Sequence, residues 1–239
     1  MSVILNIETS SEICSVAISI DGEVDYHVES EVPMQHASLL ASYIDKAMSH
    51  LSRKGLNPDA VAVSIGPGSY TGLRIGLSMA KGLCFAQDIP LIGIDTLQLL
   101  AVKGMFALRE SEGDEILVPM IDARRREVYT AAYDFSLREI IGPCPLILEP
   151  ECLKELEGMG RIIVNGNGSV KAREILKMDN VVYLSPDMPT AMDMSALSER
   201  AFINSEFMDI AYGVPIYLKE YDAKRSVNKV LNRVEETRK

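Results

Sequence analysis

The chain has 239 residues, of which 47% are hydrophobic and 24% are charged. This is the composition of one large or two small folded domains, and it excludes disordered, collagen-like and low-complexity proteins. The 24 basic and 34 acidic residues give a formal charge of −10, which disfavours a protein whose affinity comes from neutralising phosphates.

The sequence gives no sign of a membrane or secreted protein. No run approaches the roughly 18 apolar residues that a membrane helix needs, and the N-terminus lacks the pattern of a signal peptide. The four cysteines have no metal-type spacing, and Cys14 and Cys84 lie in apolar stretches typical of buried, reduced thiols. We therefore expect a cytoplasmic protein.

In the first half, apolar runs and the hairpin dipeptide Asp21-Gly22 predict three antiparallel strands followed by alternating helices and strands. The predicted strands cover residues 3–8, 14–20, 23–30, 60–65 and 90–94, and the predicted helices cover 39–51, 71–85 and 96–106.

The second half repeats much of this order. Strands are predicted at 116–122, 127–133, 139–148, 161–164 and 181–184, and helices at 150–157, from 170 and at 194–204. Ile7-Glu8 is echoed by Ile121-Asp122, and Gly66-x-Gly68-Ser69 by Gly166-x-Gly168-Ser169. The repeat predicts an α/β, actin-like, sugar-kinase-type (ASKHA) duplicated two-lobed fold, each lobe a mixed sheet flanked by helices. We place the lobes at 1–108 and 109–222 and a tail at 223–239.

Three blocks carry a resemblance to a known family. They are residues 4–10, the Gly-Pro-Gly-Ser-Tyr-Thr-Gly-Leu-Arg segment at 66–74 with its flanks, and residues 121–129. On these blocks, and across nearly all of residues 1–222, the chain resembles TsaB (YeaZ) proteins. The resemblance implies a subunit that pairs with a TsaD-type ATPase in the bacterial machinery that makes threonylcarbamoyladenosine in tRNA.

Two turns are candidates for a weak nucleotide or anion site in the cleft between the lobes. In the first half the candidate residues are Glu8, Thr9 and Ser10, together with Gly66 and Gly68 of the second block. Gly68 would permit a positive φ. For this second block a tight structural turn is favoured over a phosphate loop. In the second half, Asp122 could face Glu8, but the bulky arginines from Arg124 onward favour a solvated turn. We expect no catalytic residues, no metal, and at most weak ATP or ADP binding.

The helix at 71–85 is apolar on two sides, which predicts burial against the sheet and against another helix or chain. Packing by the protein's own helix at 39–51 is the alternative, and the resemblance implies that both helices pair with TsaD. The predicted interface residues are Leu39, Leu40, Tyr43, Ala47, Leu73, Gly76, Leu77, Ala80 and Cys84. Leu77→Glu is then expected to abolish pairing and leave the monomer folded.

The function predicted is therefore a scaffold or activating subunit, not an enzyme. It would form a homodimer when alone, pair with TsaD-type and TsaE-type ATPases, meet tRNA only through the complex, and have no membrane partner. The alternative is an ATP-dependent transferase or small-molecule kinase that uses the cleft. The tail, with Val227, Val230, Leu231 and Val234 at helical spacing among basic residues, is either a frayed terminus or a docking element.

Overall fold

The computed structural model describes residues 1–30, 32–33, 35–108 and 110–219. The predicted amphipathic tail at 223–239 lies outside the described residues. None of the described helices is long and apolar enough to cross a membrane.

The first sheet has five strands in the order β3-β2-β1-β4-β5. Strand β1 is antiparallel to β2 and parallel to β4. All six residues of β1 are buried, as expected for a central strand with elements packed on both faces. The bounds are β1 Val3–Glu8, β2 Ser15–Ile20, β3 Glu23–Glu29, β4 Ala60–Gly66 and β5 Leu91–Asp95.

The second sheet repeats this arrangement strand for strand in the order β10-β9-β6-β7-β8. Its first strand is again antiparallel to the second and parallel to the fourth. The bounds are β6 Ile116–Asp122, β7 Glu127–Tyr133, β8 Glu139–Ile147, β9 Ile162–Asn165 and β10 Val181–Tyr183. The predicted duplicated two-lobed α/β fold is confirmed.

Five α-helices lie within the described residues: α1 His36–Arg53, α2 Tyr70–Gln87, α3 Thr96–Ala107, α4 Ser169–Ile175 and α5 Ser195–Ile203. The helix predicted at 150–157 is wrong, since only one 3-10 turn forms there, Lys154–Leu156. The segment buries Leu153 and Leu156 but reaches Gly158 and Gly160 at positive φ before a second helical turn can form.

Two helices from different parts of the chain hold the halves together. Helix α3 contacts β4 and β5 of the first sheet and β6, β7 and β9 of the second. Helix α5 follows the second sheet in sequence but packs on the first, where Leu197 and Ala201 join a core with Ile4 and Ile92. The first sheet therefore has one face covered by α3 together with a late segment of the chain, and the other face by α1 and α2.

Eight of the nine predicted interface residues lie in the core between α1, α2 and the first sheet. Only Leu39 is half-buried, and the other eight are buried. Because these eight side chains are enclosed by the chain itself, any partner surface on α1 and α2 is formed by their neighbours. The eight are Leu40, Tyr43, Ala47, Leu73, Gly76, Leu77, Ala80 and Cys84.

The burial of Leu77 changes the outcome expected for Leu77→Glu. Leu77 is only 4% exposed within the first core, so the substitution would bury an unpaired carboxylate and cost about 4 kcal/mol or more. We predict that this variant is largely unfolded. Ser78→Glu, one residue further along α2 and exposed, is the control and should keep the wild-type melting temperature. Equal melting temperatures for the two variants would contradict this placement of the helix.

Candidate functional site

The turn after β1 is enclosed by the protein itself. Glu8 and Thr9 have no exposed surface and Ser10 is only 2% exposed. The loop after β4 closes over them, with the Ser69 N–H donating to the Ser10 carbonyl at 2.7 Å. The Ser69 side chain then caps α2 by accepting from the Gly72 N–H at 3.2 Å.

Glycines in the second block allow this closure. A Cβ added to Gly68 would lie 2.4 Å from the Ser10 carbonyl oxygen, and one added to Gly72 would lie 2.1 Å from the Thr9 carbonyl oxygen. Gly76 is equally close to the Thr9 side chain, at 2.2 Å from Oγ1. The block therefore brings the backbone of α2 against the turn. The positive φ expected at Gly68 occurs instead at Gly66, at +111°.

Glu8 is a buried carboxyl group with few partners. One oxygen, Oε1, accepts from the Ser10 N–H at 2.5 Å and from the Ser64 hydroxyl at 3.1 Å. The other oxygen, Oε2, has no hydrogen-bond partner among the described residues, and the same holds for Thr9 Oγ1 and Ser10 Oγ. Burial raises the pKa of Glu8 from 4.5 to about 7 against the lowering effect of these hydrogen bonds, and Asp193 raises it further.

The matching turn of the second half is open. Asp122 is exposed and pairs with Lys171 at 3.0 Å, while its Oδ1 also accepts from the Arg124 N–H at 2.6 Å. Glu8 is enclosed and Asp122 faces solvent, so the structure does not bring the two carboxylates together. Weak ATP or ADP binding by these turns stays a prediction.

The most exposed apolar surface on the helix pair is the outer face of α2, defined here as Ile75, Ser78, Met79, Gly82 and Phe85. Ile75 and Met79 are half-buried, and Phe85 is 83% exposed. A shallow groove runs along this face from Tyr70 to Met79. Apart from Arg74 at the edge of the groove, no charged residue lines this face, so it offers an apolar contact surface rather than a catalytic one.

An aromatic and cationic cluster borders the first turn of α2. The Arg74 guanidinium lies 4.1 Å from the centre of the Tyr70 ring, and its Nε donates to the Tyr217 hydroxyl at 2.9 Å. Sequence reasoning missed Phe85 and Tyr70 as surface residues because it treated the buried side of α2 as the interface. The helical position of Ile75, opposite Leu73 and Leu77, carried the signal.

The thiols and carboxylates supply no evident metal centre within the described ranges, where no group of three His, Cys, Asp or Glu side chains is placed to hold an ion. All four cysteines are free. Burial raises the pKa of the Cys14 and Cys84 thiols to about 11, so neither is a thiolate at neutral pH.

Comparison with known proteins gives consistent matches over most of the chain. The model of the TsaD family, described as tRNA N6-adenosine threonylcarbamoyltransferase, matches residues 29–229. The tRNA threonylcarbamoyladenosine biosynthesis protein TsaB of Escherichia coli (strain K12) is 30% identical, covering 90% of this chain and 94% of its own. The Haemophilus influenzae protein of the same name is 31% identical, over 90% and 93%. The solved structure of YeaZ from Pseudomonas aeruginosa superposes with a TM-score of 0.76 at 26% identity, covering 91% of this chain and 100% of its own.

Two mixed sheets of identical strand order define an actin-like, sugar-kinase-type (ASKHA) two-lobed protein, here with the turn after its first strand covered by its own helix. The chain belongs to the TsaB (YeaZ) family, inside the larger TsaD family whose model it matches.

The close approach of α2 to the Thr9 carbonyl predicts opposite effects for two glycines of one helix. Gly72→Ala forces a displacement and should lower the free energy of unfolding by about 1 to 3 kcal/mol. Gly82→Ala meets open space and should raise it by up to about 1 kcal/mol through helix propensity. Chemical denaturation of both variants checks this, and a stabilising Gly72→Ala would contradict the packing.

The raised pKa of Glu8 predicts a pH-dependent stability difference for Glu8→Gln. The folded state holds the Glu8 proton more tightly than the unfolded state, so wild-type stability falls as pH rises from about 4.5 to about 7. Glutamine lacks this loss, and the variant should gain up to about 3 kcal/mol relative to wild type between pH 5 and pH 8.

Denaturant titrations at both pH values measure the Glu8→Gln difference. The pKa of Asp95, which burial raises to about 6, affects both proteins alike and cancels in the difference. A difference that is constant with pH would show that Glu8 is not buried as described.

Proposed function

We propose that the chain is a non-catalytic subunit of tRNA threonylcarbamoyladenosine biosynthesis that activates a TsaD-type transferase by pairing through the outer face of α2. The relatives from Escherichia coli and Haemophilus influenzae, both named as tRNA threonylcarbamoyladenosine biosynthesis proteins, support the pathway. The observation that carries the pairing is the exposed, uncharged apolar face itself, centred on Ile75, Met79 and Phe85.

The size and chemistry of this face suit helix-to-helix contact. Helix α2 has 18 residues, and small residues such as Gly82 on the outer face let a second helix approach closely. Phe85 supplies a large aromatic anchor, the kind of side chain that often dominates the binding energy of an interface. The same face would serve a second copy of the chain in the absence of the transferase, which gives the expected homodimer.

The buried position of Glu8 argues against the alternative of an ATP-dependent transferase or kinase. A catalytic carboxylate must reach substrate, metal or water, and Glu8 has no exposed surface. The proposal therefore assigns chemistry to the transferase and gives this chain the task of holding that partner in its active arrangement. A TsaE-type ATPase and tRNA would join through the complex.

A pair of phenylalanine substitutions tests the proposal. Phe85→Glu places a charge in the proposed interface and should weaken pairing by at least about 30-fold, with a parallel loss of threonylcarbamoyl transfer in a reconstituted reaction. Phe106→Glu on α3 is the matched control, since Phe106 is also highly exposed, at 72%. Pairing is measured by light scattering and folding by circular dichroism.

Three outcomes are informative in the same reconstitution. The proposal is supported if transfer requires this chain and fails with Phe85→Glu but not with Phe106→Glu. Equal behaviour of the two variants would move the interface away from α2. Transfer that proceeds without the chain, with ATP turnover by the isolated chain that disappears in Glu8→Ala, would replace the proposal with the enzymatic alternative.

A further inference from the structure

The turn between β6 and β7 presents three consecutive arginines to solvent. Arg124, Arg125 and Arg126 are all exposed. Arg126 donates to the Leu148 carbonyl at 3.0 Å. The guanidinium groups of Arg124 and Arg125 have no hydrogen-bond or ion-pair partner among the described residues, so both are available to an external anion.

The backbone of this turn is held in place, although two of its residues adopt left-handed conformations. Arg124 has φ +72° and Arg125 has φ +50°, which is unfavourable for side chains of this kind. Lys171 bridges the turn by donating to the Arg125 and Glu127 carbonyls, and it also pairs with Asp122. Lys171 thus fixes the backbone of the turn, from which the side chains of Arg124 and Arg125 project.

Positive charge and aromatic rings continue from this turn toward α2. Lys219 pairs with Glu127 at 2.6 Å, which places the segment that carries Tyr217 beside the β6–β7 hairpin. Tyr217 contacts Arg74, which in turn stacks on Tyr70. Tyr70 is 37% exposed and Tyr217 is 42% exposed. We call the surface formed by Arg124, Arg125, Lys219 and Tyr217 the cationic band; Arg74 and Tyr70 lie at its border with the outer face of α2, whose groove they line.

We propose that the cationic band is a docking surface for RNA, which contacts the phosphate backbone through Arg124 and Arg125 and stacks a base on the exposed part of the Tyr217 ring. The inference rests on the proposed function in taking tRNA as the RNA. Guanidinium groups bind phosphates in bidentate fashion, and exposed tyrosines provide stacking platforms for unpaired bases. An acidic polypeptide would use the charges but not the rings, so the combination favours RNA.

The overall charge of −10 makes this band distinctive. Because the net charge is negative, RNA would approach this face in preference to the acidic ones. The sequence predicts that this chain associates with tRNA only through the complex. The cationic band would add direct contacts between this chain and tRNA inside that complex.

The test compares two double variants that remove the same charge. Arg124→Gln with Arg125→Gln alters the band, and Arg53→Gln with Lys177→Gln removes two exposed cations elsewhere. Binding of an unmodified tRNA transcript to the complex with the TsaD-type partner is followed by fluorescence anisotropy over a range of salt concentrations. The band variant should bind more weakly, with a slope of log affinity against log salt that is shallower by about 2, one unit for each lost phosphate contact.

Each outcome decides the inference. An RNA-binding surface is supported if the slope of log affinity against log salt changes for the band variant and not for the control variant. Support also requires that polyglutamate of equal charge displaces tRNA poorly. An unchanged slope, an equal effect of the control variant, or displacement by polyglutamate as effective as by tRNA would overturn it. Pairing of the band variant with the TsaD-type partner is measured on the same samples. A failure of the RNA-binding inference can therefore be distinguished from a failure of the proposed pairing through Phe85.

Discussion

The absence of side chains at two positions on α2 determines which surfaces this protein encloses and which it exposes. Gly72 and Gly76 let the helix backbone lie against Thr9, nearer than any larger residue would permit. This contact encloses the turn after β1, at whose start the buried Glu8 carboxyl group has a raised pKa. With the turn enclosed, the chain presents the outside of α2 rather than an open phosphate-binding cleft.

The duplication shows how the same topology can serve different purposes. Both halves end a central parallel strand in a Gly-x-Gly-Ser segment that leads into a helix. In the first half that helix is 18 residues long and packs over the neighbouring turn, whereas in the second half α4 has only seven residues. The turn after β6 is therefore left uncovered, and its arginines face solvent. One lobe supplies an apolar surface and the other a charged one.

Much of the fold follows from patterns that the sequence displays directly. Most strands were predictable because they are short apolar runs with turn residues at their ends, and β3 was predictable because it follows Asp21-Gly22, which adopts the positive φ angles of a tight hairpin. The segment 150–157 failed because its apolar spacing resembles a helix, while the nearby glycines favour a turn. The spacing of apolar residues along the chain does not indicate how many turns a short helix will form.

The candidate surfaces were harder to predict, for a physical reason. A helix with two apolar sides gives no local sign of which side meets the sheet, so Leu73 and Leu77 could not be told apart from Ile75 and Met79 without the tertiary contacts. The enclosure of Glu8 likewise depends on glycines about 60 residues away. By contrast, three successive arginines were visible at once, and the structure adds that Lys171 positions the backbone beneath them.

The return of α5 to the first sheet has a consequence for how the chain acquires its structure during synthesis. Ile92 packs with Leu197 and Ala201, which the ribosome adds about 100 residues later, and Ile4 belongs to the same core. At the usual rate of elongation the part of this face that α5 covers stays open for roughly 5 to 20 s, while Leu99 and Val102 of α3 can already pack on the rest. The emerging N-terminal half therefore carries an exposed apolar surface while these residues are added, and it is in this interval that we expect the nascent protein to depend on chaperones.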